Sequence, residues 1–332
     1  MAQFPNILID ESNMKAITQN KYGSPAEVLK LETVKMPTIK DDEVLVRVQA
    51  AATHIGDWLL TRGWPYLVRL MPKAKIPGME MSGIVEYVGK DVKEFGPCDE
   101  VFGWGKYAFA EYATFSEKAL LLKPSNATFE QAAAIPISGF TALQAVRDHG
   151  EVKAGHKVLV IGASGAVGTF AVQIAKSYGA EVTGVGSARN EDLVRSIGAD
   201  HYIDYSKQEI TDGGRQYDVI LDTAGNRSLS LLRRPLAKKG ALVIVGGSGG
   251  KWLMGVTRSI RATMLSPLVS QRLRMFLAKN NKEDLAVLKE LIESGDVTPI
   301  IDKTYKLNDA AQAVENVGER HSRGKTVISV GG

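Results

Sequence analysis

Apolar and polar positions alternate over short stretches through the first third of the chain. In "EVLVRVQAAAT" (43–53) and "MSGIVEYVGKDV" (81–92) the alternation has a period of two, and Gly and Pro punctuate the gaps. That is the pattern of half-buried strands. "CDEVFGWGKYAFAEYATF" (98–115) carries more of the same, with aromatics and turn glycines. After an N-terminal extension over 1–13, residues 14–127 therefore read as a compact, irregular β domain.

The period changes near Thr128, which is followed by Glu130 and Gln131 in the arrangement of a helix N-cap. Strand 157–163 precedes helix 166–178, strand 181–186 precedes helix 190–196, and a strand follows at 201–205. A strand at 217–225, a helix near 227–235 and a strand at 240–247 continue the series. These strands are continuous apolar runs, as expected where helices cover both faces of a parallel sheet. The reading is an α/β, doubly wound parallel sheet of the Rossmann type over 128–295. Within it a helix at 281–295 places Leu285, Leu288, Leu291 and Ile292 on one face. The tail 296–332 returns to β character and is expected to complete the first domain.

Composition changes this picture little. The 332 residues are 44% hydrophobic and 23% charged, enough for two packed cores. A net charge of +4 without a long basic run argues against a nucleic-acid partner. The single cysteine, Cys98, rules out an intrachain disulfide framework and cysteine-rich zinc sites. No apolar run approaches a membrane span, and the N-terminus has no cationic start before an apolar core, so a cytoplasmic setting is the default expectation.

The chemistry begins at "IGASGAVGTFAVQIAKSYGAEVTGVGSARN" (161–190). Ala163-x-Gly165-x-x-Gly168 follows a strand and opens a helix, the context that makes this spacing a dinucleotide fingerprint rather than a turn. Gly165 lets backbone approach a pyrophosphate, Gly168 lets the helix pack on the strand, and the helix N-terminus attracts the anion. In the NAD form a carboxylate about 20 residues further on holds the ribose 2′-hydroxyl. The second strand here ends instead in Gly186, then Ser187, Ala188, Arg189 and Asn190. A hydroxyl and a guanidinium suit a 2′-phosphate, so NADPH is the expected cofactor.

With "AAAIPISGFTALQAV", the glycine loop, Ile197-Gly198-Ala199-Asp200 and "IDY" in that order, the chain from 14 to 330 resembles the medium-chain dehydrogenase/reductases. It is most similar to their zinc-free quinone oxidoreductase (zeta-crystallin-like) branch. The resemblance implies a GroES-like catalytic domain beside the Rossmann domain, with nicotinamide in the cleft between them, and commonly a homodimer. It assigns Ala163, Ser164, Gly165, Ala166 and Val167 to the pyrophosphate, and Ser187, Arg189 and Tyr205 to the 2′-phosphate side. Val245, Gly246 and Gly247 would line the nicotinamide half, Thr141 would approach the nicotinamide, and Lys325 is a candidate for the cofactor phosphates.

Zinc-dependent relatives use Cys, His and Cys or Asp ligands, and the matching positions here are His54, Met79 and Ser138. Met and Ser are poor partners for tetrahedral zinc, so no catalytic metal is expected. Without a Lewis acid, hydride transfer to a quinone or α,β-unsaturated carbonyl is easier than alcohol oxidation. Its enolate or quinol anion needs only a hydrogen bond and a proton. His54 could donate to that oxygen or simply fill the vacated site, with help from Tyr66, while Trp64 and Tyr66 offer flat walls to a small planar electrophile. An alcohol or aldehyde dehydrogenase, and an NADPH-binding sensor or scaffold without turnover, are the competing readings.

Overall fold

The computed structural model describes residues 13–70, 75–245, 269–319 and 322–331. Two sheets carry the architecture. The larger runs, by neighbouring strands, Ile301–Lys306, Lys325–Ser329, Glu43–Thr53, Glu80–Val88, Glu100–Trp104 and Leu120–Leu122, and Tyr112–Ser116 also pairs with Glu43–Thr53. Its two C-terminal strands are parallel to each other, and Lys325–Ser329 pairs antiparallel with the end of Glu43–Thr53. A separate antiparallel ribbon, Asn13–Gln19 with Leu29–Lys35, lies beside it. Val44, Val46, Val48, Met81, Val85, Phe109 and Phe115 fill the core under this sheet.

The second sheet is wholly parallel. Its six strands are Lys157–Ile161, Glu181–Gly186, His201–Asp204, Tyr217–Asp222, Leu236–Ile244 and Arg272–Met275, in spatial order third, second, first, fourth, fifth, sixth. That order places a crevice at the carboxyl ends of the first and fourth strands, where the winding reverses. Buried Val158, Val160, Phe170, Ile174, Leu221 and Val243 form one of its cores, and the sheet is α/β and doubly wound as the alternation of apolar strands and helices implies.

Several local departures have physical causes. The strand expected at 240–247 begins earlier, at Leu236, because a register shift between Tyr217 and Val219 absorbs the extra polar residues around Lys238 and Lys239. The sixth strand, Arg272–Met275, escapes the apolar pattern because it is an edge strand whose two arginines, Arg272 and Arg274, pair with Glu151 at 2.6 and 3.0 Å. Helix Ile55–Arg62 interrupts the β-rich part, and its start is hidden because a histidine caps it. Thr128 does cap helix Phe129–Ala133, exchanging bonds with Gln131 in a capping box. Residues 1–12, most of the stretch 248–270, Gly246 and Gly247 lie outside the described residues.

Candidate active site

The glycine loop is built as a cradle. Gly162 ends the first strand with φ +81, a left-handed conformation that lets the chain turn sharply into helix Ala166–Ser177. At Gly168 a Cβ would lie 2.1 Å from the Gly162 carbonyl oxygen, so a side chain there would push the helix off the strand. At Gly165, the helix N-cap, a Cβ would meet only the Gly162 oxygen, at 3.4 Å. The space over the helix N-terminus is therefore open, and its first amides have no acceptor within the helix. Backbone room, unsatisfied donors and a positive dipole end fit a pyrophosphate.

The second strand ends against Tyr202. A Cβ on Gly186 would come within 2.4 Å of the Tyr202 hydroxyl, so a side chain there would have to push the Tyr202 ring aside. Tyr202 instead donates to the Ser187 carbonyl at 2.8 Å, and burial, then the nearby Asp204 charge, push its pKa up to about 12. Ser187 precedes the turn Ala188–Asn190, its carbonyl accepting from the Asn190 amide at 2.9 Å, and the turn carries Arg189 exposed to solvent. Tyr205 is exposed beside this turn, its amide bonded to the Gly186 carbonyl at 3.1 Å. Buried Asn190 links the loop to the turn, donating to Ser164 at 2.8 Å and Ser187 at 3.2 Å. Val245 is tied to Asp222 through its amide, at the end of the fifth strand.

A buried polar cluster faces this loop from the other sheet. His54 caps helix Ile55–Arg62: its Nδ1 accepts from the Gly56 amide at 2.8 Å, and Asp57 returns the bond by accepting from the His54 amide at 2.9 Å. The accepting Nδ1 leaves the proton on Nε2. That Nε2–H is enclosed without a hydrogen-bond partner, since Asp57 Oδ2 at 3.7 Å is too far. Burial lowers the His54 pKa to about 4 and raises that of Asp57 to about 7. At neutral pH His54 is therefore an uncharged donor, not half of an ion pair.

These two shifts make a test of the cluster by stability. Between pH 4 and 6.5 the unfolded His54 holds a proton that the folded one lacks, so its contribution to stability rises with pH. The folded Asp57 holds a proton in that window that the unfolded one has lost, so its contribution falls. The two slopes, each about 1.4 kcal/mol per pH unit, oppose one another. Urea titrations at stepped pH should show Asp57→Asn gaining stability with pH relative to wild type, and His54→Gln losing it. Parallel curves for all three proteins would mean the two groups titrate normally.

Glu80 and Lys325 complete the cluster. Both are fully buried and form a close ion pair, and the other carboxylate oxygen of Glu80 accepts from the Ile137 amide at 2.8 Å. This corrects the expectation for Lys325: its ammonium is enclosed against Glu80 and is not a phosphate ligand. Residues 324–326 nevertheless reach the cofactor loop, because the Gly324 amide donates to the Ser164 carbonyl at 2.8 Å, and Thr326 accepts from Thr53, next to His54. Thr141 lies on helix Pro136–Gln144, half-buried, its hydroxyl donating to Ile137. Tyr66 is half-buried under the Arg69 guanidinium, 4.7 Å above its ring, and Trp64 stacks edge-on to Trp58 at 5.3 Å. Glu80 and Asn190 were not singled out from sequence. A lone Glu in the apolar strand "MEMSG" and a lone Lys in "KTVIS" were the available signal, since buried charges come in pairs.

The fold and this site together are those of a two-part nicotinamide-dependent dehydrogenase. Residues 40–125 match the family "Alcohol dehydrogenase GroES-like domain" and residues 197–328 the family "Zinc-binding dehydrogenase". The chain is 35% identical to a quinone oxidoreductase of Sus scrofa, covering 94% of this chain and 96% of that protein. It is 34% identical to an NADPH-dependent alkenal/one oxidoreductase, chloroplastic, of Arabidopsis thaliana, covering 97% and 82%. The solved quinone oxidoreductase from Coxiella burnetii superposes with a TM-score of 0.85 at 27% identity, over 96% of this chain and all of that one. The chain belongs to the medium-chain dehydrogenase/reductases, in the quinone oxidoreductase branch. It is an oxidoreductase of that type. No helix among the described residues is long and apolar enough to cross a membrane.

Proposed function

We propose that this protein reduces quinones or α,β-unsaturated carbonyls with NADPH and without a catalytic metal. The observation that carries this reading is the donor set at the position zinc occupies in metal-dependent relatives. There His54 has one nitrogen committed to its own helix and the other protonated, while Met79 and Ser138 supply no good zinc ligand. Among the described residues no cluster of three or more His, Cys, Asp or Glu is arranged to hold a metal ion.

The pyrophosphate would rest on the amides of Ala166 and Val167 at the helix N-terminus, with Ser164 beside them. The 2′-phosphate would lie against Ser187, Arg189 and Tyr205, a preference supported by a glycine, with no carboxylate, at position 186. Bound there, the reduced nicotinamide supplies a hydride to the electrophilic carbon. As charge builds on the acceptor's oxygen, the neutral His54 Nε2–H would donate a hydrogen bond to it once the groups that enclose this nitrogen move aside. A neutral imidazole with a low pKa stabilises that oxygen without surrendering its own proton, so water protonates the product. Trp64 and Tyr66 would flank a flat acceptor, Thr141 would lie by the nicotinamide, and the protein would act as a homodimer.

The reading is tested by following NADPH absorbance with quinones, enones, aldehydes and alcohols, with and without chelator. Turnover confined to quinones or enones and indifferent to chelator is expected. Activity only with alcohols, abolished by chelator, would sink it, and tight NADPH binding without turnover would mark a sensor. In the same assay Arg189→Ala should raise Kd for NADPH about tenfold, the order of one charged hydrogen bond, and leave NADH unchanged. Equal losses for both cofactors would remove Arg189 from the 2′-phosphate site.

A further inference from the structure

Asn190 stands at the N-cap of helix Glu191–Ser196, yet its side chain makes no bond to that helix. It is only 7% exposed, and its carbonyl oxygen is enclosed with no hydrogen-bond partner. Its NH2 group is spent on two side-chain hydroxyls from different segments, Ser164 in the glycine loop and Ser187 at the end of the second strand. Ser164 is itself 8% exposed, so one edge of the loop is closed by this contact. A buried amide left half-satisfied costs stability, because its unmatched carbonyl has given up water without gaining a partner.

What the arrangement does achieve is directional. A serine hydroxyl has one hydrogen and two lone pairs. When Asn190 donates to both oxygens, it occupies an acceptor lone pair on each and leaves each hydrogen free to turn outward. Both serines are thereby set as donors, on either side of the open space at the helix N-terminus, where an anion has only acceptors to offer. We propose that Asn190 is a positioning residue for the dinucleotide: it presents the Ser164 and Ser187 hydroxyls as paired donors, one to the pyrophosphate and one to the 2′-phosphate. The inference rests on the NADPH reading above and adds to it a residue that touches no part of the cofactor.

The experiment measures Kd for NADPH and NADH, and the melting temperature without cofactor, for wild type, Asn190→Ala and Asn190→Asp. Each is repeated in Ser164→Ala, Ser187→Ala and doubly substituted backgrounds. Asn190→Ala is expected to weaken NADPH about tenfold while the cofactor-free melting temperature holds or rises, since an unmatched buried carbonyl has gone. Asn190→Asp keeps the shape but only accepts hydrogen bonds, so it turns both hydroxyls inward and should weaken NADPH further than alanine does. In the Ser187→Ala background the effect on NADPH should shrink. With both serines replaced, Asn190→Ala should change neither affinity. An undiminished loss in the double-serine background, or a fall in melting temperature with affinities unchanged, would show Asn190 to be structural and overturn the inference. Wild-type protein that binds neither dinucleotide would overturn the cofactor reading and this inference with it, whereas tight wild-type binding matched by Asn190→Ala overturns the inference alone.

Discussion

Replacing Lys325 by methionine is expected to destabilise the protein by about 3–5 kcal/mol, the largest single effect anticipated in this molecule. The cost does not measure how strongly the pair attracts. It arises because Glu80, with no exposure to water, would be left with a buried charge and no cation. Glu80→Gln should cost a comparable amount, since it leaves the fully buried Lys325 ammonium without an anion, although glutamine can still accept from the Ile137 amide. Combining Lys325→Met with Glu80→Gln should recover much of the loss, because no unpaired charge then remains. Urea denaturation of the four proteins closes the cycle. A double variant no more stable than Lys325→Met alone would mean that the pair is not what Lys325 supports.

The second large effect is expected at His54. His54→Ser keeps a residue able to cap helix Ile55–Arg62 but removes the Nε2–H donor. If that donor meets the oxygen on which charge develops, kcat/KM for a quinone or enone should fall about a hundredfold, the scale seen when one oxyanion donor is removed. Affinity for NADPH should stay within about twofold, because the phosphate loop is untouched. Stopped-flow measurement of the hydride step under single turnover separates chemistry from product release. A hydride rate equal to that of wild type would return His54 to a purely local role, as cap of its helix. The pH profile adds a second check: with His54 neutral down to about pH 4, its own titration should leave no inflection in kcat/KM near 6.5.

Much of the second sheet was legible because its strands are apolar on both faces and its turns are marked by glycine. The strand expected at 181–186 has those bounds in the structure, and the helix expected at 166–178 ends one residue earlier. The strand Arg272–Met275 was invisible for the opposite reason, being an edge whose arginines face solvent and Glu151. At the candidate site, the glycine loop could be read because its demands fall on consecutive residues. The polar cluster could not, because its members are brought together from afar: Glu80 and Lys325 are separated by 245 positions and meet only when the C-terminal strand pairs beside Glu43–Thr53. The resemblance makes Lys325 a candidate for the cofactor phosphates by its position, and burial against the Glu80 carboxylate is what redirects it. Asn190 lay in plain view in "SARN", but nothing in the residue type told whether its amide would cap a helix or bridge two serines.

The run Gly324-Lys325-Thr326 has a mechanical consequence. Three successive residues bond respectively to the phosphate loop at Ser164, to Glu80, and to Thr53. Gly324 takes this path at φ +102 with the Ile300 oxygen where a Cβ would be, so no other residue fits the seam. The two sheets are thus riveted at one edge of the crevice, close to the bottom of the anion cradle. Any motion that parts the glycine loop from the C-terminal strand therefore has to break the bond between the Gly324 amide and the Ser164 carbonyl.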